Sequence, residues 1–282
     1  MELRRVTAAD VDRASAADAL DRVFANYVVP ISFAEPAYTI HVEANDVAAA
    51  SSPIWYDGEG SVVAAGLLGV RGKRGWVGGF GIAPAQRRRG LGKALLAQMV
   101  EQAWSLGLDS ITLEVLVENA AARKTYAAGG FAPVRVLATF AVDARQVAPQ
   151  AADAPYARAA PLLDDADQTP PCWQRESASL RRQPNLHAVG DGRAFCVFRH
   201  NGERAQLLKV RAASPDQFAR LAASVVAQTG VARIELFNEP LQSPTAEAAR
   251  DLAWTAANEV IEMRLERPRF AGRPPEAANA AS

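Results

Sequence analysis

The chain has 282 residues, 49% of them apolar, and its 31 lysines and arginines balance 31 aspartates and glutamates. That length suffices for two ordinary cores or one large one, and the even charge excludes a global electrostatic pull toward nucleic acid or an anionic membrane. Cys172 and Cys196 have no zinc or disulfide spacing, the N-terminal MELRRVTAADVDRA lacks a signal-peptide core, and SVVAAGLLGV is too short to span a bilayer, so a soluble cytoplasmic protein without metal is expected.

In chain order, Leu20, Val23, Phe24 and Tyr27 recur at helical spacing and predict a helix over 12–27, followed by a second helix or turn region to about Ala50. The stretch 52–84 reads as strands broken at Asp57-Gly-Glu-Gly and Arg71-Gly-Lys-Arg-Gly, an antiparallel meander. A helix over 92–106, a strand over 110–117 and a helix over 120–128 follow; Gly129-Gly130 supplies a left-handed stop, and a strand begins at Phe131. Between about 146 and 171 the text is rich in Ala, Pro and Asp without periodicity and reads as a linker. Beyond it come a hairpin over 193–212 turning at Asn201-Gly202, a helix over 215–229, a strand over 231–237, a helix over 245–258 and a strand over 260–265. The tail from Pro268 reads as disordered.

The stretch Gly81–Leu96, GIAPAQRRRGLGKALL, concentrates the chemistry. Glycine-rich Trp76-Val-Gly-Gly-Phe-Gly-Ile82 implies a strand whose bare backbone lies against something. Gly90 and Gly92 turn the chain tightly into a helix, so free N–H groups and the positive end of the helix dipole point outward together. From Gly60 to Val100 there is no acid, whereas Arg71, Lys73, Arg74, Arg87, Arg88, Arg89 and Lys93 are present, which suits a ligand carrying several phosphates better than a solvated basic turn. A nucleotide P-loop is excluded, because it would need glycine at Arg87 and a hydroxyl at Ala94.

Arg87-Arg-Arg-Gly90-Leu-Gly92, with the strand before it and ITLEVLVENAAARKTYAAGGF after it, resembles the GNAT (Gcn5-related N-acetyltransferase) superfamily over roughly 4–140. The resemblance implies a mixed α/β acyltransferase fold and direct transfer of an acetyl group from acetyl-CoA to an amine of a small molecule or protein. It further implies that the amides of Arg87, Arg88, Arg89, Gly90, Leu91, Gly92 and Lys93 bind the coenzyme's diphosphate. Phe80, Gly81 and Ile82 would pair with its pantetheine arm, Asn119 would contact that arm, and Tyr126 would lie near the sulfur as general acid. Asn119 equally fits the N-cap of the helix it precedes, and Tyr126 equally fits a packing role.

Attack by an amine requires loss of its ammonium proton. Alternation in Ile111–Val117 places Glu114 with Thr112 and Leu116 on one strand face, where burial would raise a carboxylate toward the range a base needs; a salt-bridged rim carboxylate is the other reading. His41, His187 and His200 have no partner spacing and are assigned no role.

The element order after the linker also resembles a GNAT half-fold, but Val210 is joined to the next helix by Arg-Ala-Ala-Ser, with no phosphate motif. The expected organisation is a catalytic domain over 1–145, a linker over 146–171, a degenerate copy over 172–268 and a tail over 269–282, in a monomer or homodimer. The inert copy would wall the acceptor pocket or complete an interface. A non-catalytic acyl-CoA-binding module is the alternative function.

Overall fold

The structure, a computed structural model, describes residues 2–29, 31–147 and 152–268. Its first half contains β1 (Arg4–Thr7), α1 (Arg13–Val23), α2 (Ala37–Ala44), β2 (Pro53–Tyr56), β3 (Val62–Arg71), β4 (Arg74–Ile82), α3 (Leu91–Ser105), β5 (Ser110–Leu116), α4 (Ala120–Ala128) and β6 (Ala132–Asp143). The second contains β7 (Tyr156–Ala157), α5 (Ala159–Leu162), α6 (Ser177–Leu180), β8 (His187–Gly190), β9 (Phe195–His200), β10 (Arg204–Arg211), α7 (Pro215–Thr229), β11 (Arg233–Pro240), α8 (Pro244–Asp251) and β12 (Thr255–Glu266). Local chemistry sets many ends: Asp12 caps α1 through the Ser15 N–H, and Ser214 and Ser243 cap α7 and α8 ahead of prolines. Of the Gly129-Gly130 pair only Gly130 is left-handed, at φ 89°.

All strands join one mixed sheet in the order β1-β2-β3-β4-β5-β12-β6-β11-β10-β9-β8-β7. The centre of that order is an exchange. β12, the last strand of the second half, lies between β5 and β6, with Val260 opposite both Leu116 and Leu137; β6, from the first half, pairs in turn with β11. Packing follows the exchange. Ala138, Phe140 and Val142 of β6 join the core under α7 and α8, with Phe218, Leu221 and Leu236, whereas Met263 of β12 joins the core under α3, with Leu95, Met99 and Ile111. The other face of the first half is closed by Leu20 and Val23 of α1 against Ile54 and Leu67.

Several elements differ from expectation. The stretch read as a linker carries β7, which pairs with β8, and Leu163, buried with Leu180 and Phe195; a two-residue strand is too short to leave a period. β1 and β8, four residues each, also lie outside the expected strands. α8 stops at Asp251 rather than Asn258, because Thr255 onward pairs with β6, and ladder hydrogen bonds override the helical propensity of Thr-Ala-Ala-Asn. The tail expected from Pro268 lies, from 269 on, outside the described residues. Among the described residues no helix is long and apolar enough to cross a membrane.

Because β5 and β6 meet only through β12, a fragment of residues 1–147 lacks the strand that joins them and exposes one edge of β5 and both edges of β6. That fragment is expected to aggregate or to lack a cooperative unfolding transition by circular dichroism. Co-expression with 152–282 is expected to restore a compact species on gel filtration.

Candidate active site

The site starts where two strands part. β4 runs parallel to β5 only over Arg74–Trp76 against Ser110–Thr112, while β3 accompanies β4 to Ile82, leaving the β5-facing edge of Val77–Ile82 without a strand partner. The β3–β4 register slips by one residue between Leu67 and Leu68, a bulge at Gly78. A Cβ on Gly78 would stand 2.1 Å from the Trp76 indole, and one on Gly81 would stand 2.7 Å from Val23. Trp76 and α1 therefore account for the absence of a side chain at these two positions without a ligand.

At the far end of β4 the chain passes through a short 3₁₀ turn, Pro84–Gln86, and enters α3 with Arg88 and Gly90 left-handed, at φ 65° and 78°. Gly90 is the N-cap and supplies no side chain to the helix head. In consequence the backbone N–H groups of Arg88, Arg89, Gly90, Leu91 and Gly92 find no acceptor among the described residues. Such a run, at the positive end of a fifteen-residue helix, forms a cradle that can hold an anion. Lys93 stands exposed in the first turn, and beside it a groove of about 490 Å³ opens between α3 and α4, walled by Leu96, Val100, Trp104 and Gly129.

The basic residues divide in two. Arg88, Arg89 and Lys93 stay at the cradle, Arg89 touching Gln86. Arg87 turns away: its guanidinium donates to the carbonyls of Ile82, Val23 and Ala25, tying the loop to the end of α1. Arg71, Lys73 and Arg74 lie at the opposite end of β4, where Arg71 pairs with Asp46 and Glu176, Arg74 pairs with Glu176, and Lys73 donates to the Gly107 carbonyl. The acid-free window is a property of the sequence alone; folding brings carboxylates to it from both sides.

Tyr126, on α4, is buried with its ring 5.4 Å from Phe80 of β4, so the end of the open strand and the phenol converge. Burial, reinforced by Tyr27, pushes the Tyr126 phenol far above its ordinary range and keeps it protonated. Asn119 caps α4 by accepting the Ala122 N–H at 3.1 Å. It also contacts Tyr27, whose phenol burial raises and Asn119 partly restores.

Glu114 occupies the crotch of the fork, two residues beyond the last β4–β5 pair, and its Oε2 accepts the Trp76 Nε1–H at 2.8 Å. Burial raises its pKa from 4.5 to about 7; the Trp76 hydrogen bond opposes this, Glu262 directly across on β12 adds to it, and Arg135 opposes it. Arg135 is committed to Glu262 at 2.8 Å, leaving Glu114 without a cation of its own. His41 lies behind Trp76, its Nε2 3.1 Å from the Gly78 carbonyl, and burial lowers its pKa to about 4, so it is neutral. Trp76, His41, Glu262 and the covering Cys172-Trp173 were invisible to motif reasoning, because nothing in their spacing links them. His187 and His200, read as isolated, face each other at 5.0 Å on β8 and β9. Among the described residues no cluster of three metal-ligating side chains occurs.

The profile of the Acetyltransferase (GNAT) family matches residues 19–131, the segment that builds the fork, the cradle and Tyr126. Over that segment the chain is similar to the GNAT family. Mycothiol acetyltransferase of Beutenbergia cavernae is 36% identical over 87 residues, 30% of this chain and 29% of that protein, so less than a third of that relative's length is covered. A tandem GNAT protein from the clavulanic acid biosynthesis pathway superposes with TM-score 0.66 at 18% identity, over 95% of this chain and all of that one. A GCN5-related N-acetyltransferase from Sphaerobacter thermophilus superposes with TM-score 0.64 at 15% identity, over 95% of this chain and 97% of that one. The fold is that of two GNAT-like halves in tandem.

The second GNAT-like half has no matching cradle. Ser214 accepts the Gln217 N–H, Gln217 accepts the Ala213 N–H, Pro215 has no N–H to offer, and Asp216 places negative charge in the first turn of α7.

A carboxyl whose folded pKa is raised costs stability wherever the unfolded chain would ionise it. For Glu114 the penalty grows as pH rises from about 4.5 to about 7 and is complete above that. Glu114→Gln is therefore expected to raise the urea midpoint at pH 8 and to change it little at pH 5.

Proposed function

We propose that this chain is an acetyl-CoA-dependent N-acetyltransferase that moves the acetyl group directly to an amine of a small molecule or protein, and that it works in the cytoplasm, where two buried free thiols suit a reducing milieu. The observation that carries this reading is the run of five N–H groups, from Arg88 to Gly92, with no acceptor among the described residues, beside the edge of β4 that no described strand pairs. Acetyl-CoA fits those features: the N–H run and Arg88, Arg89 and Lys93 suit a diphosphate, and the open edge of Phe80–Ile82 suits the amides of a pantetheine arm. Arg87 serves through its backbone and its tie to α1 rather than as a phosphate ligand. The acetyltransferase name of the Beutenbergia relative supports acetyl as the group carried.

Bound acetyl-CoA supplies an acyl thioester. Glu114, ionised above about pH 7, accepts the proton that the acceptor ammonium must lose, directly or through water. Tyr126 keeps its proton until a thiolate leaves and then donates it. Both groups are desolvated, which makes the carboxylate a better base and keeps the phenol protonated until negative charge develops on the sulfur beside it. Asn119 fixes the start of α4, and with it the approach of Tyr126 to Phe80.

Gly92→Glu is expected to weaken acetyl-CoA binding in calorimetry by at least about 30-fold, through charge repulsion at the cradle. Its thermal midpoint is expected to change little, since a Cβ there meets nothing nearer than 3.7 Å. Across an amine panel followed by CoA release, kcat/KM is expected to rise with pH through about 7. Glu114→Gln is expected to cost about 100-fold or more in that parameter with coenzyme affinity retained. Coenzyme binding without turnover on any amine, and no effect of Tyr126→Phe, would instead support a binding module.

A further inference from the structure

The second half also forks. β10 runs parallel to β11 only over Arg204–Leu207 against Arg233–Leu236, and the β9–β10 register slips between Leu207 and Lys209, the counterpart of the bulge at Gly78. What stands in this second fork is a side chain of the protein itself. Arg175, 6% exposed, donates Nε to the Leu208 carbonyl at 2.6 Å and Nη1 to the Asn238 carbonyl at 3.0 Å, and pairs with Glu239 at 2.5 Å. One guanidinium thus bridges both parted strands, and its rigid planar geometry makes the bridge specific.

The same short segment reaches the other way into the first fork. Trp173 stacks on Trp76 with centroids 5.9 Å apart and planes 6° from parallel, and its Nε1 donates to the Asn45 carbonyl at 3.1 Å. Arg71 lies 4.3 Å from the Trp173 ring, and Glu176 pairs with both Arg71 and Arg74. The fit leaves no slack: a Cβ on Gly69 would stand 2.7 Å from the Asn45 carbonyl, 3.3 Å from Trp76 and 3.4 Å from Trp173. Trp76 in turn donates to Glu114.

We propose that Trp173, clamped in the second half by Arg175, is a positioning residue for Glu114: through its stack on Trp76 it fixes the indole N–H that Glu114 accepts and keeps water off that side of the fork. The proposal rests on the reading of Glu114 as the base. It gives the second half a task that needs no coenzyme, and explains why a half without a cradle keeps its fork: the fork is the socket of a brace. The groups facing Glu114 from the surrounding elements are Trp76 of β4, Glu262 of β12, Arg135 of β6 and Cys172 of the brace. Neutral His41 of α2 lies behind Trp76, and Tyr27 packs on the cluster holding Cys172.

The test is a carboxyl-carbon NMR titration of the full chain labelled with ¹³C at the glutamate carboxyl, the Glu114 resonance being the one lost in Glu114→Gln. Wild type is expected to titrate near 7. Trp173→Ala is expected to lower that midpoint by about one unit or more, a tenfold change in acid constant, because rehydration removes the largest cause of the elevation. Trp173→Phe, which retains an aromatic stack, is expected to stay near wild type. A cooperatively folded Trp173→Ala that titrates as wild type does would overturn the proposal; should that variant fail to fold, Trp173→Leu is titrated in its place, and a wild-type midpoint there overturns the proposal equally. Full turnover by Glu114→Gln would end the base reading instead, a result the titration does not depend on.

Discussion

The antiparallel contact of β6 with β12 is the constraint on which the rest of the molecule depends. Each strand begins in one half and fills its apolar side chains into the core of the other, Phe140 of β6 under α7 and Met263 of β12 under α3. Neither sheet half has all its strands without the other. The pairing also orders the site, because Glu262 is set across from Glu114 and beside Arg135 only when β12 lies between β5 and β6.

The two forks share a cause and differ in what fills them. In both, a parallel pair ends after a few residues and a one-residue bulge turns the strand away. Beyond the first, a left-handed glycine and a bare helix head leave five N–H groups with no acceptor among the described residues. Beyond the second, a serine cap and a proline close the helix head, and Arg175 bridges the strands.

Charge at the site is set by partition rather than by sum. Arg135 neutralises Glu262 and Arg71 and Arg74 neutralise Glu176, so Glu114, alone among these carboxylates, is left with an indole N–H as its main partner and a pKa raised to about 7. A neutral His41 behind the indole adds no competing charge. The cost of burying that carboxylate is borne by the whole fold.

From the sequence alone, the helices α3, α4 and α7, the hairpin turns, the glycine-led cradle at Arg88–Gly92 and the face carrying Glu114 were legible, because each is written in neighbouring residues through periodicity, capping or alternation. The GNAT resemblance was legible for the same reason, its motif being contiguous. Four features belonged to tertiary structure: the exchange of β6 and β12, the retirement of Arg71 and Arg74 into ion pairs, the diversion of Arg87 to α1, and the line from Arg175 through Trp173 and Trp76 to Glu114. Each joins residues far apart in the chain, Trp76 and Trp173 among them. Which distant partners meet is decided by strand order and packing, quantities that no local pattern encodes.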